Sequence, residues 1–196
     1  MPIGQPIFED VPPDHPAREC ICAIVGAGII APLSMNPPRF APDYAVTRAQ
    51  FAVYLSRVMN LEPRQVAEPS FADVTRSHWA HEFVEAIYAR MIMAGGLADP
   101  PRFLPDEAVT RAAAAIALIR AKGLEPLRPS EATFADVPPD HWAFGWIERL
   151  VDRASWGGVV VAAGCDAGPP PRFCPDTVVT RAQLAILICR AFSIGA

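Results

Sequence analysis

The chain has 196 residues, of which 52% are hydrophobic, and a formal net charge of −4 from 17 basic and 21 acidic residues. This apolar content excludes an acidic disordered chain, and the negative balance argues against a nucleic-acid-binding surface, which is normally basic. The longest apolar stretches are interrupted by Arg, Gly or Pro, so no segment that could span a membrane is predicted. The 22 prolines are about twice the usual share, and they cluster between apolar stretches, which indicates ordered loops between helices.

An internal repeat organises the chain. A Phe-x-Asp-Val motif recurs every 63 residues, and each copy is followed by Pro-Pro-Arg-Phe-x-Pro-Asp and Val-Thr-Arg-Ala motifs. The first Phe and the Thr are 39 residues apart in two copies and 46 in the third, which predicts a seven-residue insertion within residues 154–167. We therefore divide the chain into units one, two and three, defined as residues 7–61, 70–124 and 133–194.

Each unit is predicted to contain two helices joined by a long loop rich in Pro and Gly, which makes the fold all-α. The first helix is expected to follow an N-cap residue, whose side chain accepts a hydrogen bond from a free backbone N–H group; the candidates are Asp14, Ser77 and Asp140.

The second helix of each unit opens at the Thr of the Val-Thr-Arg-Ala motif. Thr47 with Gln50, and Thr180 with Gln183, fit the Thr-x-x-Gln capping box, whereas unit two has Ala113 at the Gln position. The second helices are apolar enough to predict that they pack together as a shared central bundle.

An arginine occupies the first turn of all three second helices, at Arg48, Arg111 and Arg181. The helix dipole disfavours a cation there, so the repetition asks for a compensating role. One interpretation is the binding of an anion such as a sugar-borne carboxylate, to which spare N–H groups and a guanidinium are suited. The other is an ion pair with the loop carboxylate five residues earlier, which is Asp43, Asp106 or Asp176. In either case an arginine at a helix start is expected to contribute little to stability.

Three other sets of side chains recur at equivalent positions. Trp79 and Trp142 could stack on carbohydrate or belong to the core, and unit one has Pro16 instead. Histidines without Cys or acidic partners at metal-ligand spacing are interpreted as hydrogen-bonding groups at helix starts; they are His15, His78 and His141. Aspartates of the first motif are predicted to cap local turns; they are Asp10, Asp73 and Asp136.

The chain has five cysteines. Cys165 and Cys174 bracket the long loop of unit three and are both missing from the other units, which predicts a disulfide between them. This disulfide would imply an oxidising, extracellular setting. Cys20 is expected to be buried, and Cys22 is expected to face solvent because it aligns with Glu85 and Glu148. An odd number leaves one thiol free or available to a partner chain.

The motifs together resemble three tandem S-layer homology (SLH) domains. The resemblance rests on Phe-x-Asp-Val, Asp-His-Trp-Ala, a Gly-rich loop and Phe-x-Pro-Asp-x-x-Val-Thr-Arg-Ala-Gln. It implies a helical, pseudo-threefold spindle whose grooves between repeats bind cell-wall polysaccharide, often pyruvylated. The binding residues implied are the helix-start arginines, the glutamines that follow them and the tryptophans of the first helices; they are Arg48, Arg111, Arg181, Gln50, Gln183, Trp79 and Trp142.

Two functions remain open at this stage. The resemblance implies a non-catalytic surface anchor that binds a cell-wall polysaccharide or a polymer linked to peptidoglycan, without a cofactor or a metal. The alternative is a structural protein that assembles with itself into a sheet, tube or filament. No catalytic, phosphate-binding or zinc motif is present. Both functions imply an extracellular, cell-surface protein, although residues 1–5 show no basic or apolar segment typical of a signal peptide.

Overall fold

The structure, a computed structural model, describes residues 8–96, 98–152, 165, 168–169 and 171–195. The elements within them are α1 (Arg18–Gly26), β1 (Ser34–Met35), β2 (Pro38–Arg39), α2 (Arg48–Val58), α3 (His81–Ala89), α4 (Arg111–Ala121), α5 (Phe144–Val151) and α6 (Arg181–Ala191). The two short strands pair antiparallel. The regular elements of this part of the chain are therefore helices apart from the one short strand pair, as predicted. No helix in it is long and apolar enough to cross a membrane, and the insertion predicted within 154–167 lies almost wholly outside the described residues.

The second helix of each unit begins where the sequence predicts. Thr47 and Thr180 each accept the N–H group of the glutamine three residues later, and that glutamine side chain accepts the N–H group of the threonine. Thr110 makes the first of these bonds with the N–H group of Ala113, whose methyl side chain cannot return the second. Both predicted capping boxes are confirmed.

The first helices begin three residues later than predicted. The predicted caps Asp14, Ser77 and Asp140 are wrong, because a tight turn closed by backbone hydrogen bonds precedes each helix. The residue before each helix is an alanine without a side-chain cap bond. Its N–H group donates instead to the Nδ1 atom of the preceding histidine. The helix-start role predicted for the histidines is thus confirmed at His15, His78 and His141.

The aspartates of the first motif hold the long loops in place. The Asp73 carboxylate accepts the N–H groups of Phe103 at 2.7 Å and Leu104 at 2.9 Å, where Leu104 has a φ of 60°. Successive N–H groups beside such a left-handed residue converge on an anion. Burial raises the pKa of Asp73, but these two donors outweigh it, so the pKa falls below its ordinary value.

The other two units repeat the same arrangement. Asp10 and Asp136 accept the N–H groups of the corresponding loop residues, which are Phe40 and Ala41, and Phe173 and Cys174. The prediction that these three aspartates cap local turns is therefore wrong. Each joins the start of its unit to a loop at least 30 residues further along the chain.

The helices pack mainly between units. Helix α2 packs against α3, α4 against α5, and α6 against α1, whereas the contact between α4 and α6 is less extensive. Each second helix thus has the first helix of another unit as its main partner, and the predicted bundle of second helices is not the principal packing.

The segments just before the second helices are joined by backbone hydrogen bonds. The Val109 N–H group donates to the Val46 carbonyl and the Val179 N–H group to the Val109 carbonyl, both at 2.8 Å. The Val46 N–H group donates to the Val179 carbonyl at 3.1 Å. These three bonds form a closed ring that ties the three units together.

The phenylalanine of each loop motif lies in the core. Phe40, Phe103 and Phe173 are at most 1% exposed. Each ring contacts the phenylalanine that begins its own unit, at centroid distances of 5.9, 5.3 and 5.3 Å. Burying one such ring stabilises the fold by about 1.5–3 kcal/mol, so the aromatic pairs anchor the ends of each loop.

The position aligned with Cys22 is buried in every unit. Glu85 accepts the backbone N–H and the hydroxyl of Ser70 at 2.8 and 2.7 Å, and Glu148 forms the same two bonds with Thr133. Cys22 itself is 4% exposed. The prediction that it faces solvent is wrong, because the aligned carboxylates serve internal hydrogen bonds and do not mark an exposed helix face.

Candidate functional site

The helix-start arginines contact the loops of other units. The Arg48 Nε atom donates to the Phe103 carbonyl at 2.7 Å, and its guanidinium lies 4.7 Å from the centre of the Phe103 ring. Arg111 makes the same two contacts with Phe173, and Arg181 makes them with Phe40. These carbonyl bonds compensate for the unfavourable position of a cation at a helix start.

The alternative prediction of an ion pair is not met at two of these positions. Among the described residues, Arg48 forms no ion pair with Asp43, and Arg181 forms none with Asp176. Burial lowers the pKa of Arg48, while the charges of Glu107 and Asp73 act in the opposite direction.

Arg181 is fully engaged inside the protein. Its three guanidinium nitrogens donate to the Phe40 carbonyl at 2.8 Å, the Tyr54 hydroxyl at 3.0 Å and the Ala31 carbonyl at 2.8 Å. The side chains of Arg181 and Arg111 are 7% and 5% exposed. Both arginines are therefore held within the fold.

Arg48 is half-buried and more open. Its Nε and Nη2 atoms donate to the carbonyls of Phe103 and Ala94, both at 2.7 Å, and its Nη1 atom has no hydrogen bond to any residue that the structure describes. The residue that would correspond to Tyr54 is Ala117, which has no hydroxyl group to accept from the guanidinium. Arg48 thus keeps one donor at the edge of an open space.

That open space is a cavity of about 380 Å³ lined by residues of all three units. We call it the Arg48 groove, and its lining comprises Arg48, Ile92, Met93, Ala94, Ala113, Ile116, Ala117, Arg120, Trp142 and Trp146. A second cavity of about 560 Å³ adjoins it and shares four of these residues, including Arg120 and Trp146.

The two predicted tryptophans are exposed. Trp79 is 61% and Trp142 is 64% exposed, and each indole stacks on the preceding histidine ring at 5.7 Å. The interpretation of these residues as core is therefore wrong. The structure brings Trp142 together with Arg48 in the groove, whereas Trp79 is not among the residues that line it. Gln50 and Gln183 serve the capping boxes described above.

Two further residues of the groove were not predicted. The Arg120 guanidinium lies 5.0 Å from the centre of the Trp146 ring, a cation–π contact at the groove wall. Arg57 and Arg190 occupy the same position of their helices as Arg120. This second recurring arginine was the available signal, but the amphipathic pattern of a helix gives a solvated arginine the same appearance.

The predicted disulfide between Cys165 and Cys174 is confirmed, with a Cα–Cα distance of 5.9 Å. Asp136 lies beside this pair. Its carboxylate already accepts two backbone N–H groups, and both sulfur atoms are used by the disulfide. These three residues are therefore accounted for by the structure of the loop.

Residues 7–52 and 70–115 match the S-layer homology domain. The chain is 27% identical over 183 residues to the S-layer protein EA1 of Bacillus anthracis, which covers 92% of this chain and 19% of that protein. It is 29% identical over 181 residues to the cellulosome-anchoring protein of Acetivibrio thermocellus, covering 87% and 37%. It is also 24% identical over 182 residues to the exoglucanase XynX of Acetivibrio thermocellus, covering 92% and 16%. The chain thus spans less than two fifths of these relatives, and the resemblance to S-layer homology domains is confirmed for units one and two.

Proposed function

We propose that this chain is a non-catalytic cell-wall anchoring module that binds an anionic, pyruvylated wall polysaccharide at the cell surface. The observation that carries the proposal is the Arg48 groove, where two guanidinium groups and two indole rings line one open cavity. The S-layer homology match supports a wall polymer as the partner. The relatives named for S-layers and for cellulosome anchoring support the anchoring role.

We also propose that residues 133–194 are a third S-layer homology repeat, and that the three units form a pseudo-threefold spindle. The sequence motifs of unit three support this assignment. So do its contacts, because Asp136 and Arg181 bond as their counterparts in the other units do. The ring of bonds among Val46, Val109 and Val179 is the contact expected at a threefold axis.

The groove has the chemistry that an acidic sugar requires. A guanidinium binds a carboxylate through short, charge-assisted hydrogen bonds, and the open Nη1 atom of Arg48 is the donor for this. An indole ring offers an apolar face against which the C–H groups of a sugar ring can pack, and Trp142 presents such a face. The Arg120 guanidinium adds a second positive charge to the lining of the groove.

The three helix-start arginines do not have the same role in this proposal. Arg48 contacts the glycan, because it is half-buried and retains a donor at the groove. Arg181 positions the loop of unit one, because Phe40, Tyr54 and Ala31 use all its guanidinium nitrogens. Arg111 is held in the same way through the Phe173 carbonyl, so one groove carries most of the binding.

Replacing Trp142 by Ala tests this function, and Trp79→Ala is a matched control. The two indoles have nearly the same exposure and the same histidine stacking, but only Trp142 lines the Arg48 groove. We expect Trp142→Ala to weaken binding to wall sacculi at least about tenfold, which corresponds to ~1.4 kcal/mol, and Trp79→Ala to leave it within about twofold.

The same sacculi, stripped of ketal-linked pyruvate by mild acid, test the ligand class. Loss of wild-type binding supports the pyruvylated polymer, and unchanged binding contradicts it. Equal effects of the two tryptophan variants would contradict the groove assignment. If the wild-type chain ignores sacculi and forms ordered polymers when purified, the chain is a self-assembling structural protein, and negative-stain microscopy of the same sample shows this.

A further inference from the structure

Two cysteines outside the loop disulfide meet between the first and the third unit. Cys20 lies on α1 and Cys189 lies on α6, and these two helices pack against each other. The Cys20 side chain interacts with Cys189, because it is one of the groups that raise the pKa of that thiol. The two side chains are thus neighbours across the contact between α1 and α6, although 169 positions separate them in the sequence.

The two cysteines differ in how deeply they are buried. Cys189 is 9% exposed, and its thiol donates to the Ile194 carbonyl at 3.3 Å. Cys20 was predicted to be buried, and this prediction is wrong because Cys20 is half-buried, whereas Cys189 is buried. Cys20 is therefore the more accessible residue of the pair.

We propose that Cys20 and Cys189 are a second disulfide site, which cross-links the first and third units when a small-molecule disulfide oxidant is supplied. The Cys20 thiolate attacks one sulfur of the oxidant, which forms a mixed disulfide and releases one thiol. The Cys189 thiolate then attacks the Cys20 sulfur, forms the protein disulfide and releases the second thiol. The protons lost by the two cysteines are taken up by the two released thiols, and the oxidant gains the two electrons.

The local charges favour this order of steps. Burial and the neighbouring Cys20 thiol raise the pKa of Cys189 to about 12. Glu19 on α1 adds to this rise, and Arg190 on α6 opposes it. Because Cys189 is a thiol at neutral pH, its attack on the mixed disulfide is the slower step, and the cross-linking rate increases as the pH rises from 7 to 9.

A disulfide at this site would connect the first and third units covalently. The first and third units are joined to each other only through non-covalent contacts in the described residues, whereas consecutive units are also linked by the backbone. The loop disulfide of unit three already requires an oxidising setting. A bond between Cys20 and Cys189 in the same setting would fix the packing of α1 against α6.

The test uses the full chain carrying Cys22→Ala, because one tryptic peptide, residues 19–39, otherwise contains both Cys20 and Cys22. After incubation with oxidised glutathione, the protein is denatured, alkylated and digested without reductant. We expect a linked species of peptides 19–39 and 182–190. We also expect the melting temperature to rise by roughly 5–10 °C.

The control is the same chain with Cys20→Ser added. It should give no linked species and no rise in melting temperature, while its melting temperature before oxidation matches that of the parent. Two results would overturn the proposal. One is that Cys20 remains a mixed disulfide with glutathione at pH 9, and the other is that Cys20 and Cys189 are both alkylated after the incubation.

Discussion

Arg48 and Arg181 occupy the same position of their helices but differ in what their third guanidinium nitrogen contacts. The Arg181 Nη1 atom donates to the Tyr54 hydroxyl, and burial raises the pKa of this phenol while the charge of Arg181 lowers it. At Arg48 the neighbouring helix offers Ala117 in place of a tyrosine. Arg181 thus forms an internal cross-link, whereas Arg48 keeps one donor at the groove.

This difference predicts unequal losses of stability. Arg181→Ala removes three hydrogen bonds, leaves the buried Phe40 carbonyl and Tyr54 hydroxyl without their donor and should reduce the free energy of unfolding by about 3 kcal/mol or more. Arg48→Ala removes two bonds at a half-buried site, and we expect a loss of about 1–2 kcal/mol. Urea unfolding of the two variants measures both values.

The sequence alone suggested that either substitution would cause only a small loss of stability, because an exposed cation at a helix start contributes little to the free energy of unfolding. Losses below about 0.5 kcal/mol for both variants would support that view and contradict the contacts of Arg181. A loss at Arg48 equal to that at Arg181 would show that burial does not distinguish them.

At the scale of the elements, what could be predicted depended on the range of the interactions. The starts of α2 and α6 were predictable because a Thr-x-x-Gln box acts over three residues. The starts of the first helices were misplaced by three residues, since a turn closed by backbone bonds precedes each helix, although the histidines that accept a hydrogen bond there were identified. Asp73 was assigned to a local turn because nothing in the sequence indicated that it contacts the Pro-Pro-Arg-Phe-x-Pro-Asp motif 30 residues away.

For the Arg48 groove, too, what could be predicted depended on the range of the interactions. Trp142 and Arg48 were each identified from their repetition, but nothing in the sequence indicated that they share one cavity. Ala117 lines that cavity and offers Arg48 no hydroxyl acceptor, and an alanine within an apolar helix carries no signal of its own. The reason is that a groove is defined by side chains that are small as much as by those that are large.

The loop disulfide of unit three makes an independent prediction at this scale. Cys165 and Cys174 are nine positions apart, so the bond removes about 2–3 kcal/mol of loop-closure entropy from the unfolded chain. Reduction by a phosphine should lower the free energy of unfolding by that amount. The Cys165→Ser, Cys174→Ser double variant should be unstable to the same extent and indifferent to the reductant. A double variant that still loses stability on reduction would place the sensitive disulfide elsewhere.

At the scale of the whole molecule, every second helix depends on another unit at its first turn. The Arg48 N–H group donates to the Glu107 carbonyl and the Arg111 N–H group to the Thr177 carbonyl, at 2.8 and 2.9 Å. The Arg181 N–H group donates to the Tyr44 carbonyl at 2.8 Å. Helix ends that are free in an isolated helix are thus satisfied between units, and no unit in the described part of the chain is complete without its neighbours.

The last prediction follows from this dependence and concerns the fragment of residues 1–130. The fragment keeps α1 to α4 but lacks α5, which covers α4, and α6, which covers α1. It also lacks the Phe173 and Thr177 carbonyls that Arg111 needs. A buried arginine without its acceptors, together with two uncovered apolar helix faces, should cost more than the 5–15 kcal/mol that typically holds a domain together. We therefore expect the fragment to lose the sharp thermal transition of the full chain and to bind a dye specific for exposed apolar surface.

Addition of the 131–196 piece should restore the transition at least in part, because the missing contacts are non-covalent. A fragment that melts as sharply and at as high a temperature as the full chain would mean that the units are independent domains, and the contacts between them would then contribute little to stability.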